Sequence, residues 1–284
     1  MKKILCPVDF SENSLDAARF ALRFAAVAES EIKFLYVSSV LIPTGGINYG
    51  INVETPTVHL RLRTEELEEQ IDALYKEADL VRDPQTAVCH AVDYASVVHG
   101  IADTAAKDRS DLIIMGTKGA AGLRRIFMGS VTTSVIEEAQ CPVLAIPASF
   151  DVRYVEKVAL ATEMVNVEKE IVPALEFARV FNAQLDLFHV SVRQPDGDKL
   201  VQELKQSTGY DKISFTEVIP EIEGDVNGGL HTYVEKYSPD VLVMFYTHRN
   251  WFDKLLLSSR TKNVVFHAET AVLSIKRGAS ESNE

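Results

Sequence analysis

The sequence predicts an α/β protein made of two tandem, Rossmann-like, doubly wound parallel sheets, each five-stranded in the order 3-2-1-4-5. Three observations carry that prediction. Short apolar runs alternate with amphipathic helical stretches, the pattern occurs twice, and turns rich in glycine and hydroxyls follow two of the apolar runs. Uniformly apolar strands alternating with helices imply a parallel sheet covered on both faces.

Each element follows from its own residues. The run "KKILCPV" (2–8) reads as a buried strand. After it, "SLDAARFALRFAAVAE" spaces Leu15, Ala18, Leu22, Ala25 and Ala26 along one helical face, with Ser11 as a cap. A second strand, "IKFLYVS" (32–38), precedes a charged amphipathic helix at 63–81. "TAVCHAV" (86–92) is the third strand, "ASVVHGIADTAAKD" (95–108) a helix, and "DLIIMG" (111–116) the fourth strand. "SVTTSVIEEA" (130–139) opens another helix, and "PVLAIP" (142–147) is the last strand. The segment 41–60 is rich in Gly, Pro, Asn and Thr and reads as a mobile loop, with a lid as one role for it.

The repeat is gapless over its second half. Residues 111–147 lie above 240–276 at an offset of 129, pairing Asp111 with Asp240, Met115 with Met244, Ser130 with Ser259 and Leu144 with Leu273. The openings "KKILCPVDFS" and "EKVALATEMV" correspond as well, so the domains are expected at 1–148 and 154–278. The last strands, "PVLAIP" and "AVLSIK", fall at sheet edges in this topology. Bare edges invite aggregation, and two fused copies can cover each other as an intramolecular pseudo-dimer. Association of two whole chains as a homodimer is left open.

Composition narrows the function. There are 29 Lys and Arg against 41 Asp and Glu, a net charge of -12, which speaks against nucleic acid or an anionic membrane as partner. No run is long and apolar enough for a membrane span, and the opening apolar stretch is too short for a secretory signal. Cys6, Cys89 and Cys141 have no paired spacing, so a reduced, cytoplasmic setting without disulfides or bound metal is expected. His90 and His189 read as core or strand-end residues, His59 and His99 as surface.

Open parallel sheets bind ligands beyond the carboxyl ends of the strands flanking the switch in winding, here the first and fourth. The loops at that point are "PVDFS" (7–11) and "GTKGAAG" (116–122), an acid beside a glycine-rich turn. Glycines let backbone N–H groups approach an anion, and the helix opening at Gly129-Ser130 offers free N–H groups to a phosphate. Hydroxyls of Ser130 and Thr132 can add hydrogen bonds. Lys118, Arg124 and Arg125 either neutralise phosphate or form a solvated loop, and Asp9 either contacts the ligand or caps the first helix.

The spacing Gly116-x2-Gly119-x9-Gly129-Ser130 resembles the ATP-binding motif of the universal stress protein family, and the likeness runs through both halves. By that resemblance Pro7, Val8, Asp9 and Phe10 approach adenine and ribose, and Val37 lines the adenine pocket. Met115, Gly116, Gly119, Gly129, Ser130, Val131 and Thr132 then hold ribose and phosphates. ATP, or AMP or ADP, is the implied cofactor, with Mg2+ arriving on its phosphates. Family members dimerise through the last strand.

The second copy departs from the motif: Gly116, Gly119 and Gly129 become Phe245, His248 and Ser258, while Pro7 and Asp9 fall near Ala161 and Glu163. Phenylalanine at the first of these fills space a phosphate needs, so the second copy is expected not to bind ATP the same way. It serves as a structural partner, or "FYTHRNWF" builds a different ligand or docking site. The resemblance implies a nucleotide-dependent stress or signalling regulator, with slow hydrolysis at most because no general base stands beside the phosphates. The alternatives are an adenine-nucleotide-cleaving enzyme and an interaction module without nucleotide.

Overall fold

The computed structural model describes residues 1–39, 56–117, 129–148, 150, 155–191, 196–222, 225–246 and 270–277. In the first half the strands are β1 (Lys3–Pro7), β2 (Glu31–Ser39), β3 (Ala87–Tyr94), β4 (Leu112–Gly116) and β5 (Val143–Ile146). The helices between them are α1 (Glu12–Ala28), α2 (Pro56–Glu77), α3 (Val97–Asp108) and α4 (Ser130–Glu138). The second half follows with strands β6 (Lys157–Ala161), β7 (Gln184–Val190), β8 (Ile213–Val218), β9 (Val241–Tyr246) and β10 (Ala271–Lys276). Its described helices are α5 (Val167–Phe181), α6 (Gly197–Thr208) and α7 (Val226–Tyr237).

Among the described residues ten strands form one sheet in the order β3-β2-β1-β4-β5-β10-β9-β6-β7-β8. Each half is parallel in the expected 3-2-1-4-5 order, the second running back from the seam. At the seam β5 and β10 pair antiparallel, with Leu144 opposite Leu273 and Ala145 opposite Val272. The two last strands thus cover each other, which leaves β3 and β8 as the outer edges. β3 presents His90 exposed on that edge, so this histidine is a surface residue and not the core residue its strand pattern suggests.

Two apolar cores flank the sheet, and each crosses the seam. One packs α1, α2, α5 and α6 and contains Phe20, Phe24, Leu67, Ile71, Phe177 and Leu204; the other packs α3, α4 and α7 around Ile101, Val135, Leu230 and Tyr233. Across the seam the rings of Phe24 and Phe177 stack 5.2 Å apart at 19°. An offset ring pair of this kind adds about 1 kcal/mol to its area burial.

The internal repeat is visible in hydrogen bonds as well as in strand order. Asp111 accepts from the amides of Lys2 and Lys3 at 2.6 and 3.0 Å, and Asp240 accepts from those of Glu156 and Lys157, both at 2.8 Å. Phe10 and Met164, each after the first strand of its half, take φ of 63° and 64°. Gly100 and Gly229 each let a helix close on a valine, Val37 and Val190, that a Cβ would strike at 2.6 and 2.3 Å. The second half also carries a buried carboxylate cluster. Asp186, 2% exposed, accepts from Ser214 Oγ, Thr216 Oγ1 and the Tyr233 hydroxyl at 2.6, 2.9 and 2.5 Å.

Helix α2 begins at Pro56, seven residues before the expected start at 63, so 56–60 belong to a helix and not to the loop. Proline at the first helical position gives up no intrahelical hydrogen bond, since that N–H would be unpaired anyway. The start signal in the sequence is Thr55-Pro56, a cap residue type before a first-position proline, while the β-branched residues of "PTVHL" weaken the helical pattern after it. The rest of the expected loop and lid, 41–55, lies outside the described residues.

Candidate functional site

A cleft of about 260 Å3 opens beyond the carboxyl ends of β1 and β4, at the switch in winding. Its floor is the end of β1, Pro7, Val8 and Asp9, and the end of β4, Met115 and Gly116. One wall is Leu35, Tyr36 and Val37 of β2. Facing it stand Val97 and Ile101 of α3, one helical turn apart, and the first turn of α4 contributes Val131 and Thr132. One side of the cleft is therefore apolar and slot-like, while the other offers a carboxylate, hydroxyls and a helix N-terminus.

The lip is held by its own hydrogen bonds. The Asp9 carboxylate accepts from the amide and hydroxyl of Ser11, and Ser14 Oγ accepts from the Asp9 amide at 3.2 Å. Ser11 caps α1, as its position suggests, by accepting from the Ser14 amide. Asp9 thus braces the turn ahead of α1, and its exposed side chain also lines the cleft.

Gly116 has a tighter reason to lack a side chain than openness toward a ligand. A Cβ there would meet the backbone carbonyl oxygen of Asn13 at 2.6 Å and its carbon at 3.0 Å, so α1 rests directly on β4 at this point. At the corresponding position Phe245 packs against the core that holds α5. Its ring lies on that helix face of the sheet, and α5, at 15 residues against 17 for α1, opens with both Met164 and Asn166 in left-handed conformations. The helix start beside Phe245 thus differs from the one beside Gly116.

Helix α4 is joined to the floor. Thr132, 3% exposed, donates its hydroxyl proton to the Gly116 carbonyl at 2.8 Å, and the Gly129 amide donates to the Thr117 carbonyl. The amides of Ser130, Val131 and Thr132 are the ones helix geometry leaves without an intrahelical partner. Thr132 is thus a structural staple as well as a lining residue, and the Gly129 amide is already engaged.

Of the residues the motif singles out, Pro7, Val8, Asp9, Val37, Met115, Gly116, Val131 and Thr132 line this one cleft. Gly129 and Ser130 sit at the start of the helix that walls it. The Phe10 ring turns to Tyr36, 5.1 Å between centroids, instead of lining the space. Gly119, with Lys118, Arg124 and Arg125, lies outside the described residues, as do His248, Trp251, Phe252 and Ser258. The structure adds Ser14, Leu35, Tyr36, Val97 and Ile101. Val97 and Ile101 had a signal in the sequence, an apolar i, i+4 pair just after a capping serine, but only folding brings α3 over β1.

In the second half the matching lip is occupied by ion pairs. Arg277 reaches Glu163 at 3.0 Å and the buried Glu170 at 2.5 Å, Thr162 Oγ1 donates to Glu170 at 2.8 Å, and the His189 ring lies 2.8 Å from the Thr162 carbonyl. Burial pushes the Cys141 thiol up to about 11 and the Cys89 thiol up to about 12. Among the described residues no three His, Cys, Asp or Glu converge to hold a metal, and no helix is long and apolar enough to cross a membrane.

Fold and cleft together define a doubly wound α/β protein with an open cleft at the winding switch of its first repeat. The model of the universal stress protein family matches residues 1–147. The universal stress protein MJ0531 of Methanocaldococcus jannaschii is 34% identical over 145 residues, covering 51% of this chain and 81% of that protein. MJ0577 of the same organism is 29% identical over 157 residues, covering 51% and 94%. Across both halves, the chain is similar in fold to a universal stress protein from Archaeoglobus fulgidus, with a TM-score of 0.69, 19% identity and coverage of 97% and 98%. The chain belongs to the universal stress protein family.

Proposed function

We propose that the first repeat binds an adenine nucleotide, ATP with Mg2+ on its phosphates, and that the chain is a nucleotide-dependent stress or signalling regulator in the cytoplasm. The observation that carries the reading is the cleft at the winding switch, apolar on one side and polar on the other, lined by most of the motif residues. An adenine ring suits the slot between Val37 and Ile101, and phosphates suit the amides opening α4. Asp9 and Ser14 then face the ribose. With units at 1–148 and 154–278, the second serves as an intramolecular partner, its own lip taken up by Arg277, Glu163 and Glu170.

Calorimetric titration of the nucleotide-free protein with ATP and Mg2+ tests this. One site per chain is the expected result, with phosphate release slow or nil. Two sites would refute the assignment of binding to the first repeat alone, and rapid release would make the chain an enzyme. Silence with ATP, ADP and AMP alike would overturn the reading and leave an interaction module.

A further inference from the structure

Helix α4 ends against the other repeat. The last carbonyls of any helix lack intrahelical donors, and α4 has no cationic side chain of its own in its last turn. The second repeat supplies what is missing. The Tyr246 hydroxyl, from β9, donates to the Ile136 carbonyl, and Lys276 Nζ, from β10, reaches the Glu137 carbonyl at 3.3 Å. Tyr246 is 6% exposed, so its bond is made out of water. Burial, with Glu137 and Cys141 nearby, pushes its phenol up to about 12, which keeps the donating proton in place at neutral pH.

Ile136 lies one turn beyond Thr132, about 6 Å along the axis. Thr132 is the residue that staples α4 to the cleft floor. The nine-residue helix is therefore pinned at one end by the first repeat and one turn later by the second. The first repeat carries different residues at the matching positions. At the offset of 129, Tyr246 and Lys276 correspond to Thr117 and Pro147, a short hydroxyl and a residue with no donor at all.

We infer that Tyr246, assisted by Lys276, is a positioning residue for the nucleotide cleft of the opposite repeat. The second repeat, at the strand end where its own glycine motif is lost, holds the wall of the first repeat's site. This rests on the nucleotide reading and adds to it a dependence of that site on β9 of the partner repeat.

The test uses the full chain with Tyr246→Phe, Lys276→Met and, for comparison, Tyr233→Phe. The comparison variant also loses a buried hydroxyl of the second repeat, but that hydroxyl donates to Asp186 of β7 and not to α4. Two quantities are read: amide exchange over 133–139 without nucleotide, and the ATP Kd by calorimetry. Tyr246→Phe is expected to speed exchange in α4 and raise Kd about tenfold, the cost of one buried carbonyl left unpaired. Lys276→Met, losing an exposed contact, is expected to raise it about twofold. Tyr233→Phe is expected to lower the melting temperature and leave Kd and α4 exchange as they were.

Unchanged α4 exchange in Tyr246→Phe overturns the clamp. Faster exchange with an unchanged Kd overturns its positioning role, as does a Kd rise of equal size in Tyr233→Phe. A wild-type chain that binds no nucleotide overturns the nucleotide reading and the positioning role with it, while the exchange data still decide whether the clamp exists.

Discussion

Adding one carbon at Gly116 tests how closely α1 bears on the floor of the cleft. In Gly116→Ala the new Cβ meets the Asn13 carbonyl oxygen at 2.6 Å, so about 0.8 Å of movement is needed to restore ordinary contact. Neither neighbour is a flexible side chain. The atoms that must retreat are backbone in the first turn of α1, tied by Ser11 and Ser14 to Asp9 at the cleft lip. Overpacking of this kind costs about 1–3 kcal/mol. Urea unfolding should register it as a midpoint lower by a few tenths of a molar to about 1 M. The same shift moves Asp9 and Ser14, so ATP binding in calorimetry should weaken together with stability. Gly209→Ala provides the contrast, because its cost comes from φ of +64° with nothing within 4 Å, far from the cleft. It should lose about 1 kcal/mol and keep the wild-type Kd. A Gly116→Ala protein within about 0.5 kcal/mol of wild type, with an unaltered Kd, would refute the contact between α1 and β4 as described.

The remaining predictions concern the motif, the seam and pH. Gly129 has φ of -58°, which any residue adopts, and caps α4 without a side-chain hydrogen bond. Gly129→Ser should therefore leave the melting temperature unchanged or slightly raised, yet weaken ATP in calorimetry if phosphates approach that backbone; an unaltered Kd would remove Gly129 from the site. Leu144 and Leu273 are opposite each other at the seam and fully buried, so Leu144→Ala should cost about 2–5 kcal/mol in urea unfolding. Because both cores cross the seam, loss should come in one transition by circular dichroism and fluorescence alike; two separated transitions would contradict a shared core. Burial holds the His231 imidazole below its ordinary 6.5, against the opposing pull of Glu235 and Asp225. The unfolded chain then binds the proton more readily, so this contribution is present above about 6.5 and lost as pH falls below it. Urea midpoints at pH 7.5 and 5.5 should differ less in His231→Gln than in wild type.

The strand order and the seam were legible in advance because a repeated pattern of buried apolar runs has few ways to pack. Once the runs 111–116 and 142–147 recur at 240–245 and 271–276, two parallel sheets with exposed last strands follow, and pairing those strands removes both edges. Part of the cleft was legible as well: the switch in winding points to the loops after the first and fourth strands, which hold Asp9 and Gly116, while Val37, Met115 and Val131 came only from the resemblance to the universal stress protein motif. Other features were not. The β-branched residues of "PTVHL" mask the start of α2 that Thr55-Pro56 signals, and His90 shares the pattern of a buried strand residue while standing on an outer edge.

By itself the sequence determined the two repeats, their strand order, and which repeat keeps the glycine motif, because these depend on residue type and spacing along the chain. Only the tertiary structure decided what those residues touch. Gly116 is bare because α1 lies against it, Thr132 gives its proton to the floor of the cleft, and Tyr246 reaches 110 positions back to the end of α4. Such contacts arise between segments distant in sequence, where position is set by how layers pack and not by local pattern.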